Sequence, residues 1–318
     1  MLKEMCAKIV ATLLPPRLMR AKRFFSLWES RGYHVTPVHY HELIPDTREF
    51  ADELWSRQSA LAGIDMREPC QLELLRRFAS QYKGEYDTFP YAPTQAPHDF
   101  HFNNGSYETV DAEVLHCMIR DRKPRRVVEI GSGFSTRITA AALRRNRADD
   151  PARQCELTCI EPYPSGAIKS GFEGLTRLIE AKVQDVPLDV FLSLEENDVL
   201  FIDSSHVVTV GNDVCYEFLE VLPRLKQGVL VHVHDILLPQ VYSREWFEVK
   251  VFWNEQYLLQ AFLAFNSAFQ VLWAANFMHL RHPEDLSRAF ASYAVFKNSS
   301  DQRKRLYGHK SFWIQKVR

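Results

Sequence analysis

The chain has 318 residues, of which 46% are hydrophobic and 25% are charged. This composition excludes wholesale disorder, and the length admits one large domain or one domain with a substantial extension. Because 39 Lys and Arg face 40 Asp and Glu, the formal charge is -1, and the whole chain lacks the electrostatic signature of a nucleic-acid binder.

The N-terminal residues 1–23 place an apolar run, Ala7 to Leu14, between basic residues. This pattern predicts a helix that contacts a partner or a membrane surface. No stretch of the sequence reaches the roughly 20 apolar residues that a membrane span needs. The six cysteines lack C-x-x-C spacing, which favours reduced thiols in a cytoplasmic protein.

Residues 24 to about 100 show no regular alternation of strands and helices. We expect a helix that begins at Asp46-Thr47 and contains Leu61, and an amphipathic helix from Asp65 to Tyr82. The segment 89–107 is rich in proline and aromatic residues. It is either a loop over a pocket or a loop packed on the sheet edge. We therefore assign residues 1–104 to a mainly helical and irregular cap region, and residues 105–318 to a second domain.

The second domain begins with a helix from Thr109 that stops before Pro124, and then shows a regular pattern. Five strands separated by helices are predicted at 127–130, 157–160, 178–183, 199–202 and 229–233. This alternation predicts a doubly wound, mostly parallel α/β sheet. The later elements are a helix capped by Asn254, a strand at 269–277, a helix at 283–296 and a strand at 311–317. They are expected to complete seven strands with an antiparallel edge.

The first of these strands ends in a carboxylate and turns through two glycines, in Glu129-Ile130-Gly131-Ser132-Gly133. Such a turn is typical of a strand followed by a tight loop and a helix N-terminus, where backbone N–H groups approach a bound ligand. A dinucleotide-binding fingerprint needs a third glycine at position 136, which is Thr136. The spacing therefore argues against a nicotinamide cofactor.

Acidic residues recur at the carboxyl ends of the predicted strands: Glu129, Glu161, Asp185, Asp203 and Asp235. Ligands of open α/β sheets bind at that edge. Carboxylates there suit a ligand with ribose hydroxyls and cationic groups better than a pyrophosphate. Glu161 is placed to accept hydrogen bonds from both ribose hydroxyls, and Asp185 to reach an adenine amino group.

Five segments resemble the successive motifs of class I S-adenosylmethionine-dependent methyltransferases: Val127 to Ser135, Ile160-Glu161, Gln184-Asp185, Phe201 to Asp203, and Leu225 to Val231. The resemblance covers about residues 105–318 and implies a Rossmann-like methyltransferase fold with S-adenosylmethionine as cofactor. It implies that Gly131, Ser132 and Gly133 line the methionine portion, with Glu129 near its amino group. Ser135 stands where the family usually has a third glycine. Glu161 would then hold the ribose and Asp185 the adenine, and Asp203 would border the cofactor.

Methyl transfer to a hydroxyl needs an aligned acceptor and the removal of a proton. Asp203 and Asp235 are expected to approach each other across adjacent strands and to suit Mg²⁺, which prefers oxygen ligands. The resemblance to metal-dependent O-methyltransferases of the catechol and macrocin types implies the same metal site, with His206 at the position of the catechol-type base. The match is incomplete, because Ile236 replaces an Asn and His234-Asp235 replaces a pair of acids. Without a metal, His206 or His234 is the candidate base.

We therefore expect an S-adenosylmethionine-dependent O-methyltransferase that acts on a small-molecule or sugar-containing acceptor, with metal assistance and homo-oligomerisation left open. An NAD(P)-dependent oxidoreductase is one alternative. A non-catalytic Rossmann-like domain that binds a partner through its N-terminal helices is the other.

Overall fold

The computed structural model describes residues 2–13, 15–19, 21–298 and 309–318. The chain forms two compact units, residues 1–54 and 55–318. Residues 55–104 thus belong to the same unit as the sheet. The predicted cap region, residues 1–104, therefore consists of the first unit together with residues 55–104 of the second unit. Its boundary at 104/105 stays a prediction.

The first unit is built from short helices. They are α1 (Leu2–Leu13), α2 (Pro16–Met19) and α3 (Phe25–Glu29), with 3-10 turns at Lys22–Phe24 and Thr47–Glu49. A further 3-10 turn, Asp52–Ser56, spans the boundary between the units. The expected long helix from Asp46 past Leu61 is wrong. The Asp46 carboxylate accepts a hydrogen bond from the Arg48 backbone N at 3.0 Å and pairs with its guanidinium, and these local bonds favour a tight turn.

The helices of the second unit are α4 (Glu68–Tyr86), α5 (Asp111–Arg122), α6 (Phe134–Asp149), α7 (Gly166–Lys169), α8 (Asp189–Leu192), α9 (Asp213–Tyr216), α10 (Arg244–Glu248), α11 (Glu255–Leu263), α12 (Ala275–Arg281), α13 (Pro283–Ala289) and α14 (Ala291–Lys297). Its strands are β1 (Arg126–Ile130), β2 (Glu156–Ile160), β3 (Arg177–Ile179), β4 (Val199–Ile202), β5 (Leu230–Val233), β6 (Phe269–Ala274) and β7 (Phe312–Lys316). A π-helical turn (Glu217–Val221) and a 3-10 turn (Leu222–Arg224) continue α9, and a 3-10 turn (Val183–Asp185) follows β3. Within the described residues, none of the helices has the length and apolar character that a membrane-spanning helix needs.

The seven strands form one sheet in the order β3-β2-β1-β4-β5-β7-β6. The predicted doubly wound, mostly parallel sheet is confirmed, since β1 to β5 pair in parallel. The predicted antiparallel edge is confirmed, because the late strands β6 and β7 pair antiparallel at one end of the sheet. Strand β7 is antiparallel to both β5 and β6 and lies between them, so its backbone is paired on both sides and the edge strand is β6.

Two predicted elements of the tail are interrupted. Strand β6 ends at Ala274 and α12 begins at Ala275, and the helix predicted over 283–296 breaks at Phe290 into α13 and α14. Phe290 is fully buried with extended backbone, and its ring packs on Tyr86 at 5.3 Å. The Ala289 carbonyl accepts hydrogen bonds from Lys83 Nζ and Tyr86 Oη, which replace the helical bond that would have continued α13.

The strand order reverses between β1 and β4, and this switch point positions the site. Strands β1, β2 and β4 are parallel and end at the same edge. There Asp203 N donates to Ile130 O at 3.0 Å, and Gly131 N donates to Ile160 O at 2.9 Å. Strands β4 and β5 are buried along their whole length, and each large apolar side chain buried in this way contributes about 1.5–3 kcal/mol. The carboxyl ends of these well-packed strands form the edge at which open α/β sheets bind ligands.

Candidate active site

The glycine loop after β1 has two glycines with different structural demands. Gly131 has φ +93°, and a Cβ there would run into the Asp203 carbonyl oxygen, so the loop and the end of β4 require a glycine. Gly133 has extended backbone, with φ 175°, and a Cβ on it would meet nothing within 4 Å. Its N–H donates to Thr136 Oγ1 at 2.9 Å. Contacts within the protein therefore require a glycine at position 131, whereas no protein atom fills the space beside Gly133.

Glu129 lies fully buried beneath this loop. Ser135 Oγ donates to its carboxylate at 2.5 Å, and Thr136 Oγ1 does so at 3.1 Å. Burial raises the pKa of Glu129 to about 8, although these hydrogen bonds lower it. At neutral pH the side chain is therefore mostly protonated, and it ties the first turn of α6 to β1 without lining the cavity described next.

A cavity of about 320 Å³ lies at the carboxyl ends of β1, β2 and β4, within the size range of small-ligand sites. Its wall includes Gly131, Glu161, Gln184, Asp203 and Asn212. Glu161 Oε1 accepts a hydrogen bond from Tyr163 N at 2.8 Å, which fixes the carboxylate at the rim.

The structure separates the other predicted cofactor residues from this wall. Ser132 and Gly133 belong to the loop beside it, Ser135 lies buried in the first turn of α6, and Asp185 is exposed. Gln184, the neighbour of Asp185, lines the cavity instead. The 3-10 turn Val183–Asp185 rotates the chain so that successive side chains point in different directions.

Asp203 also belongs to a second group of side chains, at the ends of β4 and β5. His206 Nε2 lies 3.4 Å from Asp203 Oδ1 and 3.4 Å from Asp235 Oδ2. His206 and Asp235 both have left-handed backbone, with φ +60° and +56°, which costs a non-glycine residue about 1–2 kcal/mol. The structure thus brings together Asp203, His206 and Asp235, as the sequence predicted.

His206 is oriented by a residue that the sequence analysis missed. Its Nδ1 lies 2.7 Å from Oε2 of Glu255, which is fully buried at the start of α11. Asn254 does not cap α11 as predicted, since its side chain accepts from Val208 N at 2.5 Å. The backbone N–H groups of Asn254 and Glu255 donate to the His206 carbonyl. Helix α11 therefore holds both the backbone and the ring of His206.

His234 is the other predicted base, and carboxylates surround its ring. Its Nδ1 lies 3.3 Å from Asp203 Oδ1, and its Nε2 lies 3.4 Å from Asp111 Oδ2. Burial lowers the pKa of His234, but Asp235, Asp203 and Asp111 outweigh burial and raise it to about 10. The ring also packs against Tyr107 at 4.8 Å, so His234 is a cation held in place by its neighbours.

Lys310 and Asp111 complete the charge balance of the site, and the sequence analysis missed both. Lys310 Nζ lies 2.5 Å from Asp235 Oδ1, and the Asp111 carboxylate accepts hydrogen bonds from Lys310 N and Ser311 N. Lys310 lies two residues before β7, and Asp111 begins α5. No sequence motif marks either residue, because only the insertion of β7 beside β5 brings them to the site.

The side chains present fit a divalent cation. One ligand atom from each of Asp203, His206 and Asp235 lies within 4.8 Å of the other two. The set contains two carboxylate oxygens and one imidazole nitrogen, whereas the sequence suggested the two carboxylates alone. Mixed oxygen and nitrogen ligands suit transition metals such as Mn²⁺ as well as Mg²⁺, which prefers oxygen.

The proline- and aromatic-rich segment 89–107 reaches the site at its C-terminal end. Phe89 and Phe100 pack together at 5.6 Å, and His101 lies against Phe134, which follows the glycine loop, at 5.0 Å. Tyr107 then contacts His234. The segment is therefore packed over the start of α6 and borders the site, instead of lying on the sheet edge.

The sequence matches a protein-family model and a relative of similar sequence. A family model described as a methyltransferase domain matches residues 128–236. This range includes the end of β1, the cavity wall, and Asp203, His206 and Asp235. An uncharacterised protein of Archaeoglobus fulgidus is 34% identical over 177 residues, which are 52% of this chain and 76% of the relative.

Solved methyltransferases of low sequence identity are also similar in structure. The S-adenosylhomocysteine-bound methyltransferase PaMTH1 of Podospora anserina is 14% identical with a TM-score of 0.40, covering 87% of this chain and 99% of its own. An O-methyltransferase of Bacillus cereus in complex with S-adenosylhomocysteine is 11% identical with a TM-score of 0.35, covering 77% and 91%.

Proposed function

The chain belongs to the class I S-adenosylmethionine-dependent methyltransferases, and from this premise we propose that it methylates a hydroxyl oxygen of a small-molecule acceptor. Because the chain belongs to this family, the two alternative functions, an NAD(P)-dependent oxidoreductase and a non-catalytic binding domain, are excluded. The proposal concerns the acceptor, the base and the metal.

One observation carries the proposal. Asp203 lies in the wall of the cavity and also contacts the imidazoles of His206 and His234. A hydroxyl placed against this cluster is therefore next to any ligand in the cavity, which is the proximity that a two-substrate displacement requires. Oxygen acceptors need a nearby proton acceptor, and the cluster supplies imidazole and carboxylate groups for that purpose.

The cavity residues bind and orient the cofactor. When bound, S-adenosylmethionine supplies an electrophilic methyl carbon for in-line attack by the acceptor. Glu161, at the end of β2, is placed to hold the ribose hydroxyls. Gln184 in the wall is the better candidate for the adenine end, with the exposed Asp185 beside it at the rim. Gly131, Ser132 and Gly133 would form the loop beside the methionine portion, with Ser135 at the start of α6 next to it. Glu129 holds Ser135 from below.

His206 is the preferred base. Glu255 fixes its Nδ1 at 2.7 Å, whereas Nε2 makes longer contacts of 3.4 Å to Asp203 and Asp235. The acceptor proton would pass to Nε2. His234 is less suitable, because neither of its nitrogens has a close partner: Asp203 and Asp111 lie 3.3 and 3.4 Å away. Burial lowers the pKa of both histidines, but neighbouring carboxylates outweigh burial and raise the pKa of His206 as well as that of His234, so either ring must lose its proton before it can act as the base.

Asp203 and Asp235, with His206 as a third ligand, would hold a divalent cation such as Mg²⁺, which supplies Lewis acidity that favours the ionised acceptor. His206 cannot ligate the cation through Nε2 and accept a proton there at the same time. Metal removal therefore distinguishes the two arrangements. A metal-assisted enzyme loses turnover in EDTA, whereas an enzyme that uses His206 as its base retains it.

Transfer of a labelled methyl group to a panel of hydroxylated small molecules, with and without EDTA, tests the proposal. We expect label on an oxygen, and a loss of at least 100-fold in turnover for His206→Ala but not for the exposed control His41→Ala. Label found only on nitrogen or carbon contradicts the proposed acceptor. Full turnover of His206→Ala contradicts both proposed roles of this histidine.

A further inference from the structure

The first helix carries an apolar face that is exposed to solvent. Met5, Ile9 and Leu13 lie four residues apart in α1, and they are 55%, 49% and 73% exposed. Residues at this spacing share one face of a helix. Nearby, Phe25 and Leu27 of α3 are also exposed. The described part of the first unit therefore presents large apolar side chains that the chain itself does not bury.

The same segment is strongly basic. Residues 1–31 contain seven Lys and Arg against two Asp and Glu, whereas the whole chain has 39 against 40. Lys3, Lys8, Arg17, Lys22 and Arg23 are exposed. The acid in α1, Glu4, is 3.9 Å from Lys8, and a surface pair at this distance neutralises little. The positive charge of this segment is thus an uncompensated local excess.

We propose that α1 to α3 form a peripheral anchor for an anionic lipid surface. Apolar side chains on one side of a short helix enter the headgroup level, while Lys and Arg contact the anionic headgroups. A second copy of the chain is a poorer occupant of this face, because two identical basic segments repel each other. Only a surface that is both apolar and anionic complements the two features together.

Sedimentation of the full chain with lipid vesicles tests the anchor. We expect binding to vesicles of equimolar phosphatidylcholine and phosphatidylglycerol, but not to vesicles of phosphatidylcholine alone, and release at high salt. Ile9→Glu/Leu13→Glu should abolish binding. Lys22→Gln/Arg23→Gln should weaken it about 25-fold at low salt, because each Lys or Arg near an anionic surface contributes about five-fold.

Matched controls come from the second unit. Leu219 is 57% exposed and Arg147 is exposed, so Leu219→Glu and Arg147→Gln should bind vesicles as the wild type does. All variants should keep the wild-type melting temperature and affinity for S-adenosylmethionine, which makes the test independent of the proposed methyl transfer. Equal binding to neutral vesicles overturns the proposal, as does vesicle binding that survives Ile9→Glu/Leu13→Glu. No vesicle binding, with a dimer that the same double variant dissociates, overturns it in favour of a second copy.

Discussion

The two glycines of the loop after β1 provide a matched pair of substitutions, Gly131→Ala and Gly133→Ala. At Gly131 the positive φ costs alanine about 1–2 kcal/mol, and its Cβ meets the Asp203 carbonyl oxygen. Relief of that contact requires a backbone shift, which costs about 1–3 kcal/mol. We expect a loss of about 2–5 kcal/mol in the free energy of unfolding. At about 2–4 °C per kcal/mol, the melting temperature should fall by roughly 4–20 °C.

Gly133→Ala should change the melting temperature little, because its Cβ meets nothing in the protein within 4 Å. It should weaken S-adenosylmethionine at least ten-fold if the cofactor approaches this backbone, as we propose. Thermal unfolding and calorimetric titration with S-adenosylmethionine measure both effects. The reasoning is refuted if Gly131→Ala melts and binds as the wild type does, or if Gly133→Ala lowers the melting temperature as much as Gly131→Ala.

Three further predictions concern buried charge. Glu129 has a folded-state pKa of about 8, above its unfolded value of 4.5, so its contribution to stability is present below pH 4.5 and is lost as the pH rises through 8. Between pH 4.5 and 8, Glu129 should lower the free energy of unfolding by about 1.4 kcal/mol per pH unit. Urea titrations across this pH range should show that Glu129→Gln removes this slope, and an unchanged slope would contradict the raised pKa. Asp203→Asn and Asp235→Asn should each weaken Mn²⁺ binding, measured by calorimetry, at least ten-fold. The control Asp213→Asn should not, because Asp213 lies in the cavity wall but is not one of the three candidate metal ligands. Equal Mn²⁺ binding by all three variants would exclude the proposed metal site. The mostly buried side chain of Arg120 forms ion pairs with Glu85 at 2.9 Å and Asp149 at 2.7 Å. Arg120→Leu should therefore lower the free energy of unfolding by about 3 kcal/mol. The exposed control Arg147→Leu should change it by less than about 0.5 kcal/mol.

The strands and the carboxylates at their ends are largely local properties. Apolar runs bounded by acids and glycines determine β1, β2 and β4 to within one residue, because strand formation and tight turns depend on neighbouring residues. The parallel arrangement then follows from the alternation with helices, and it places Asp203 and Asp235 at one edge. The amphipathic face of α1 is equally local, since it depends only on the spacing of apolar residues.

The tertiary structure decided which distant groups complete the site. Glu255 reaches His206 across 49 residues, and Lys310 reaches Asp235 across 75, through the docking of α11 and the insertion of β7 beside β5. It also decided that Gln184 lines the cavity where Asp185 was expected, and that Phe290 breaks a helix that its sequence favours. These outcomes depend on packing and on hydrogen bonds between segments far apart in the chain, and periodicity within a segment carries no information about such partners.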